Sequence, residues 1–417
     1  MKIAVVGGGS TYTPELVDGF ARLFPRADLC LVDPVADRLE VIGGLSSRIF
    51  GDYGASGRVT WTSDLDAGLT DASVVILQLR VGGQQARISD ETLPMSCGCV
   101  GQETTGFGGL AKAMRTVPVV LDIAERAARL AAPGAWIVDF TNPVGIVTRA
   151  LLDAGHRAVG LCNVAIGLER WIAEMLDVKP SSVLLGHVGL NHLTWERAVY
   201  VDGVDRLPEL LETRPEELAA EVGLPPRTLL STRSLPSYYL RYFYCHDEVV
   251  REDTGRPTRG EQVAAIESEL LRMYADPTLS KKPKLLEERG GAYYSEAAVG
   301  LLSSLLNPSA AGPHAVNVRN NGTLPFLSDD AVIEVTCDVD TNGARPRPVA
   351  PVEPSMSGLI ASVSAYEELA LEAAIRGGRE RVYAALLAHP LIGQHQAAEE
   401  LTDKLIAANA EHLAWAR

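Results

Sequence analysis

The chain has 417 residues, of which 47% are hydrophobic, and its formal net charge at pH 7 is −15. This length exceeds one ordinary hydrophobic core, so two domains are expected, and the acidic balance argues against nucleic acid or an anionic membrane as partner. An anionic small substrate would therefore need a locally basic pocket.

The composition also bears on the compartment. No stretch approaches the roughly 18 uncharged apolar residues of a membrane span, and the N-terminus begins with a strand pattern rather than a basic signal segment. The six cysteines are scattered without a disulfide framework. We therefore expect a soluble, cytoplasmic protein.

The first fifteen residues predict a strand, a phosphate-binding loop and a helix. Residues 2–6 have the length and β-branched content of a buried parallel strand, and Thr13, Pro14 and Glu15 are typical of a helix start. A bare Gly-x-Gly pattern is weak evidence, because most such matches are ordinary turns, but the strand before it and the helix after it favour dinucleotide binding. The predicted cofactor residues are Gly7, Gly8, Gly9, Ser10 and Thr11. Tyr12 departs from the usual fingerprint because it replaces the third glycine.

Asp33 ends the second predicted strand, residues 29–33. A carboxylate at this position holds the ribose 2′-hydroxyl in NAD-binding folds, which suits NAD better than NADP. The other interpretation is that Asp33 merely begins a turn with Pro34.

The remaining pattern divides the chain into two halves. Strands alternate with helices up to about residue 165, which predicts a Rossmann-like, doubly wound parallel sheet in a domain of residues 1–165. Residues 166–417 show a few strands among long helices, which predicts an α+β domain. A polar loop at residues 101–106 precedes a long helix, and such loops usually cover a ligand.

Two side chains of metal-binding type lie where chain ends meet the predicted cofactor crevice. Cys162 follows the last parallel strand, and His192 lies just across the domain boundary. Thiolate and imidazole can bind a divalent transition metal and leave positions open for a substrate. However, a cysteine is usually a small buried hydrophobe and a histidine a satisfied polar residue, so the pair alone leaves both interpretations open.

Tyrosines and arginines near the crevice are ambiguous in the same way. The spacing of the tyrosines in residues 238–244 fits an amphipathic helix packed in the core. Single arginines are usually solvated, but several adjoin glycine-rich loops, and guanidinium groups bind phosphate well.

Taken together, the motifs resemble one known family. They run in order through most of the chain: residues 7–16 (GGGSTYTPEL), 101–106 (GQETTG), 140–143 (FTNP), 162–164 (CNV), 189–192 (GLNH), 239–242 (YLRY), 289–291 (RGG) and 320–322 (NNG). The chain is similar in these motifs to glycoside hydrolase family 4, the NAD-dependent glycosidases, and within it to the 6-phospho-β-glucosidases. Tyr12 is that family's own variant of the loop.

The resemblance implies an unusual route for glycoside hydrolysis. NAD oxidises the sugar C3 hydroxyl, which makes the C2 proton acidic; Tyr239 matches the base that removes it. The aglycone leaves by elimination, water adds, and the steps reverse without net oxidation. Tyrosine has an ordinary pKa of about 10, so Tyr239 needs a nearby cation, either the metal or Arg259.

The resemblance also implies the ligands, the linkage and the assembly. Cys162 and His192 match the metal ligands, and Mn²⁺ is the usual ion. Asn163 replaces the aspartate of α-specific members and cannot protonate a leaving group, which favours β-glycosides. Arg87, Asn142, Asn163 and Arg259 are implied contacts of a sugar phosphate substrate. A homodimer or homotetramer is common in the family, and the second domain resembles that of lactate and malate dehydrogenases.

Three alternatives stay open at this level. The substrate of such an enzyme can be another phosphorylated glycoside or an unphosphorylated one. A 2-hydroxy-acid dehydrogenase would share the folds but have no use for Cys162 with a metal. An NAD sensor without catalysis would need neither Cys162 nor Tyr239.

Overall fold

The computed structural model describes residues 1–290 and 293–416. Gly291, the last residue of the RGG motif, lies outside the described residues. Within them, one mixed sheet contains thirteen strands. Strands β1 to β6 are Lys2–Val6, Asp28–Val32, Val59–Thr62, Val74–Leu77, Trp136–Asp139 and Ala158–Gly160. Strands β7 to β13 are Val183–Leu190, Leu193–Val201, Val204–Asp205, Leu235–Pro236, Gly312–Arg319, Val332–Asp340 and Gly343–Pro346.

The first six strands are parallel and follow the order β3-β2-β1-β4-β5-β6. This is the order of a dinucleotide-binding fold, in which ligands lie beyond the carboxyl ends of the strands. The central strands are apolar and fully covered, as in Ile3–Val5 and Val74–Leu77, because parallel sheets are packed on both faces. The predicted Rossmann-like sheet is confirmed.

The later strands extend the same sheet in antiparallel fashion. Beyond β6 the order is β11, β12, β7, β8 and β10, so both halves of the chain share one sheet. Direct register pairs join Gly160 to Asn317, Asn317 to Glu334, and Glu334 to Gly189. We call these four residues the register row. It crosses the sheet just before Cys162 on one side and His192 on the other. The domain boundary at residue 165 stays a prediction.

Helices surround this sheet. Helices α1 to α9 are Thr13–Leu23, Ala36–Asp52, Leu65–Leu69, Gly83–Thr92, Gly106–Leu130, Val144–Asp153, Val164–Met175, Leu207–Thr213 and Pro215–Val222. Helices α10 to α18 are Pro226–Thr232, Arg241–Tyr244, His246–Asp253, Arg259–Tyr274, Leu285–Glu288, Tyr294–Leu306, Pro354–Arg376, Arg379–Ala388 and His395–Asn409. Helix α16 packs on α5, so the C-terminal part of the chain returns to the first half.

Two findings on the helices bear on the earlier expectations. Among the described residues, no helix combines the length and apolarity that crossing a membrane requires. The tyrosine-rich segment is a 3₁₀ turn at Tyr238–Leu240 followed by the short helix α11, not one amphipathic helix. Tyr239 is therefore presented from a turn.

Candidate active site

The glycine loop after β1 packs tightly against two neighbouring strands. Gly7 has a φ of +87°, and a Cβ there would lie 2.5 Å from the carbonyl oxygen of Gln78. A Cβ at Gly8 would lie 2.7 Å from Cβ of Leu31. These positions require glycine because the backbone approaches too closely for any side chain. The loop backbone, free of side chains at these glycines, lies at the carboxyl ends of the strands. A pyrophosphate can approach its N–H groups there, so the loop fits a dinucleotide.

Asp33 anchors the loop from the end of β2. Its carboxylate accepts hydrogen bonds from the backbone N–H of Gly9, at 3.1 Å, and of Val35, at 3.0 Å. Asp33 also lines the main cavity. The position of Asp33 thus agrees both with a contact to the cofactor ribose and with a turn-forming role beside Pro34. In either case its carboxylate accepts a hydrogen bond from the glycine loop.

The other end of the loop is held by Arg289 and Glu267. Thr11 is fully buried, and its hydroxyl lies 2.9 Å from Glu267 Oε1 and 2.8 Å from Arg289 Nε. The Tyr12 ring packs edge-on against Tyr294 with 4.9 Å between centroids. Tyr12 thereby joins the start of α1, of which it is the N-cap, to Tyr294 at the start of α15.

A cavity of about 1500 Å³ opens beside this loop. It exceeds the roughly 300–1,000 Å³ of pockets that hold one small ligand, so a dinucleotide and a second molecule can share it. The predicted site residues that line it are Gly7, Gly9, Ser10, Asp33, Arg87, Asn142, Asn163, Tyr239 and Arg259. Gly8, Thr11, Cys162 and His192 are not among the described residues that line the cavity, but the His192 ring stacks on Tyr239, which does line it.

Cys162 and His192 come together although they are 30 positions apart, with 3.6 Å between Sγ and Nε2. Bonds from cysteine sulfur and histidine nitrogen to an ion such as zinc measure about 2.3 and 2.1 Å, which sum to more than this separation. One ion can therefore contact both atoms. Within residues 1–290 and 293–416, no three His, Cys, Asp or Glu side chains form a metal-binding group. The pair would thus leave coordination positions for other ligands.

The surroundings keep both side chains neutral in the protein alone. Burial, together with the charge of Glu334, raises the pKa of Cys162 to about 12. Burial lowers the pKa of His192 to about 4. The Cys162 sulfur is nevertheless prepared for negative charge, because the Asn191 side chain and the N–H groups of Asn163 and Val164 hydrogen-bond to it. A nearby cation is what ionisation of the thiol requires.

Tyr239 lies directly on His192, one of the two proposed metal ligands. Its ring stacks on His192 with 3.8 Å between centroids and an angle of 12° between planes. The ring of Tyr238 lies 4.3 Å away on centroids. Burial and the neighbouring Tyr238 and Cys162 raise the pKa of Tyr239 well above its usual value. The side chain is 9% exposed, so it reaches the cavity while most of it is covered.

A buried cluster of charges forms another wall of the cavity. Glu103 is surrounded by three cations: Arg80, Lys112 with 2.8 Å between Nζ and Oε2, and Arg87 with 3.2 Å between Nη2 and Oε1. Arg87 also pairs with Glu91 at 2.8 Å. Burial, opposed by Glu103, lowers the pKa of Lys112 to about 8. The cluster gives the acidic chain the local positive charge that an anionic ligand needs.

The remaining predicted contacts occupy different parts of the cavity. Asn142 precedes a cis peptide bond to Pro143 at the end of β5. Asn163 is the N-cap of α7, directly after Cys162. Arg259 is the first residue of α13, is exposed, and donates from Nη2 to the carbonyl oxygen of Glu288 at 2.7 Å.

A polar network lies behind the Cys162 and His192 pair. His187 Nδ1 lies 2.6 Å from Glu196 Oε1, and its Nε2 lies 2.9 Å from Glu334 Oε1. The other oxygen of Glu334 accepts from Asn191 at 2.8 Å and from Asn317 at 2.7 Å. Glu334 and Asn317, two members of the register row, therefore hold Asn191 in place. Asn191 in turn donates a hydrogen bond to the Cys162 sulfur.

Several of these residues were not singled out from the sequence. The sequence analysis did not predict roles for Lys112, Glu267, His187 or Glu334. Three of them interrupt apolar runs: Lys112 in residues 110–114, His187 in residues 183–190 and Glu334 in residues 331–335. A charged residue in such a run is rarely buried unless it is paired, and that pattern was the available indication.

Comparison with known proteins gives a consistent result. Residues 2–178 match the model of the family described as family 4 glycosyl hydrolase, and residues 187–392 match that of the family 4 glycosyl hydrolase C-terminal domain. A probable 6-phospho-beta-glucosidase of Bacillus subtilis is 37% identical over 99% of this chain and 97% of that protein.

Solved structures extend the comparison to the fold. The 6-phospho-beta glucosidase of Thermotoga maritima, solved with manganese, NAD+ and glucose-6-phosphate, is similar with a TM-score of 0.92, 33% identity and 99% coverage of both chains. Malate dehydrogenase of Plasmodium falciparum has a TM-score of 0.58 at 14% identity, covers 90% of this chain and 98% of its own, and shows the shared fold alone. The resemblance found in the motifs is confirmed, and the chain belongs to the family 4 glycosyl hydrolases.

Proposed function

We propose that this chain is a 6-phospho-β-glucosidase that works with NAD and a divalent metal, Mn²⁺ being the expected ion. The observation that carries the proposal is the contact of His192 with both Cys162 and Tyr239, the last of which lines the same cavity as the glycine loop. The relatives with this activity, and the relative that binds manganese, NAD+ and glucose-6-phosphate, support it.

The two halves of the site have distinct tasks. The loop of residues 7–11 and Asp33 hold NAD, and Cys162 with His192 holds the metal. When bound, NAD takes up and returns a hydride at the sugar, and the metal acts as a Lewis acid on a sugar oxygen. The neutral His192 imidazole is ready to bind a metal, and hydrogen bonds to the Cys162 sulfur stabilise its thiolate.

Tyr239 takes the proton from C2 of the sugar. Its burial opposes this role, since it raises the pKa of the phenol. A metal cation bound at the neutral His192, on which the Tyr239 ring stacks, would be better placed to lower that pKa than Arg259, which is exposed and bonded to Glu288. We assign Tyr239 as the general base on this geometry.

The wall of the cavity selects the substrate. Arg87 within the Glu103 cluster and Arg259 on α13 supply positive charge for a sugar phosphate, and Asn142 and Asn163 supply amide groups for its hydroxyls. Asn163 cannot act as an acid toward the leaving group, which suits a β-glycoside whose aglycone leaves by elimination. A cytoplasmic location and a homodimer or homotetramer stay predictions from the sequence.

Hydrolysis of p-nitrophenyl β-glucoside 6-phosphate tests the proposal. Release of p-nitrophenol is expected with NAD⁺ and Mn²⁺ together and should fall to background when either is omitted. Cleavage that persists without both would contradict the mechanism. Parallel assays with the 6-phospho-β-galactoside and with the unphosphorylated glucoside determine the sugar and the need for phosphate.

Related measurements distinguish the proposed glycosidase from the two remaining alternatives, a 2-hydroxy-acid dehydrogenase and a non-catalytic NAD sensor. Net NADH production from a 2-hydroxy acid, unaffected by EDTA, would indicate a dehydrogenase. An intact chromogenic substrate, together with NAD binding that survives replacement of Tyr239 and Cys162, would indicate a sensor.

A further inference from the structure

The polar loop at residues 101–106 makes an ordered set of hydrogen bonds around Gln102. Its side-chain oxygen Oε1 accepts from the backbone N–H of Thr104, at 2.5 Å, from that of Thr105, at 3.0 Å, and from the Thr104 hydroxyl, at 2.8 Å. Three donors at one oxygen define which end of the Gln102 amide faces the loop. The Thr104 hydroxyl therefore donates its single hydrogen to Oε1 of Gln102.

The Thr104 hydroxyl also lies 2.9 Å from Nδ1 of His192. Since its own hydrogen goes to Gln102, the Thr104 oxygen can only accept in this second contact. The hydrogen must then come from His192, which places it on Nδ1. His192 is buried, and an imidazole that keeps a lone pair for a metal carries a single hydrogen, here the one that Nδ1 donates to Thr104.

This assignment leaves the lone pair on the other ring nitrogen. Nε2 is the atom that lies 3.6 Å from Sγ of Cys162. A neutral imidazole binds a metal only through its unprotonated nitrogen, so the tautomer decides whether Nε2 can act as a ligand. The opposite tautomer would direct a hydrogen at Cys162.

We propose that Thr104, held by Gln102, is a positioning residue that fixes His192 as the tautomer with its hydrogen on Nδ1, so that Nε2 can bind a divalent cation beside Cys162. This inference rests on the proposed function of Cys162 and His192. It gives a reason for the pattern Gln-x-Thr in the loop, which the sequence analysis assigned only to covering a ligand.

Substitutions at neighbouring threonines test the role. Thr104→Val keeps the shape and removes the oxygen, Thr104→Ser restores it, and Thr105→Val is the matched control because the Thr105 hydroxyl faces His389, 3.3 Å away, instead of His192. Titration of the full chain with Mn²⁺ alone should show affinity about 10- to 100-fold weaker for Thr104→Val. Thr104→Ser and Thr105→Val should match the unsubstituted chain, and NAD binding should be the same in all.

A second measurement needs no substitution at Thr104. The ¹⁵N NMR shifts of the His192 ring, identified by their loss in His192→Ala, should show the hydrogen on Nδ1. A hydrogen on Nε2 would overturn the inference, and so would unchanged Mn²⁺ affinity in Thr104→Val or an equal loss in Thr105→Val. If His192→Ala and Cys162→Ser themselves leave Mn²⁺ affinity unchanged, the proposed metal site fails as well, which distinguishes the two failures.

Discussion

Glu334 holds His187 as a buried cation, with 2.9 Å between its Oε1 and the imidazole Nε2. Burial alone would lower the pKa of His187, but the charges of Glu196 and Glu334 outweigh it and raise the pKa to about 10. The ion pair lies on adjacent strands of the antiparallel half, β7 and β12. Protonation of His187 therefore stabilises the contact between β7 and β12 behind the active site.

We expect this pair to make stability fall at high pH. The pKa of His187 is higher in the folded chain than the roughly 6.5 of an unfolded histidine, so its stabilisation is complete below about pH 6.5 and is lost as pH rises toward 10. The midpoint of thermal unfolding, measured between pH 6 and pH 10, should decline less for His187→Gln than for the unsubstituted chain. Parallel curves for the two would contradict this prediction.

Removing the Tyr239 hydroxyl should stop proton abstraction without emptying the site. For Tyr239→Phe we expect kcat to fall by about 10²- to 10⁴-fold, the usual contribution of a general base, while NAD and Mn²⁺ binding persist. In D₂O the unsubstituted enzyme should introduce deuterium at C2 of the product. Tyr244→Phe, in the same segment but 36% exposed, is the control that should retain activity. Product without deuterium at C2 would point to ordinary displacement instead.

A methyl group at Gly9 should disturb the cofactor loop through Asp33. A Cβ there would lie 2.6 Å from Cγ of Asp33, so the carboxylate must move away from the loop N–H that it accepts. A hydrogen bond to a charged group contributes about 1.5–3 kcal/mol, so NAD affinity should fall by roughly 10- to 100-fold in Gly9→Ala, measured by fluorescence titration. Gly51→Ala is the control, because its Cβ would have no atom within 4 Å. Equal NAD affinity in both variants would count against this loop as the cofactor site.

Replacing Arg87 by lysine should weaken recognition of the 6-phosphate. The Arg87 guanidinium is fixed by Glu91 and Glu103, and lysine keeps the charge but loses the planar fork that binds phosphate with two hydrogen bonds. We expect KM for the phosphorylated glucoside to rise by about tenfold, the loss of roughly one net hydrogen bond, with kcat nearly kept. Arg272→Lys, at an exposed arginine paired with Glu269, should leave both constants unchanged. A fall in kcat at constant KM would place Arg87 at the reacting centre instead.

The parts of the site that follow local patterns were predictable from the sequence. The strand, the glycine loop and the helix that begins at Thr13 depend on neighbours within about fifteen residues, although no side chain caps that helix, and the parallel order follows from alternating elements. The pairing of Thr104 with His192, 88 positions away, depends on how separate strands align. The tyrosine segment failed as a helix prediction because tertiary packing, not spacing, decides the conformation of a short aromatic run.

The charged groups behind the site were hidden for a related reason. Lys112, His187 and Glu334 each look out of place in an apolar run, and only their partners explain them. Those partners come from other elements, so no local pattern names them. The role of a single side chain within a motif could thus be predicted from the sequence, whereas a role that depends on a pair of distant side chains could not.

The register row has a consequence for how this enzyme can vary. Neighbouring strands lie about 4.8 Å apart, and successive side chains point to opposite faces. A single-residue insertion within β12 would turn Glu334 to the other face of the sheet and leave Asn191 without its acceptor, and one within β11 would turn Asn317 away from Glu334, to which it donates. Length changes compatible with activity should therefore be confined to the connections, where the chain can grow without shifting which residues face each other across the four strands.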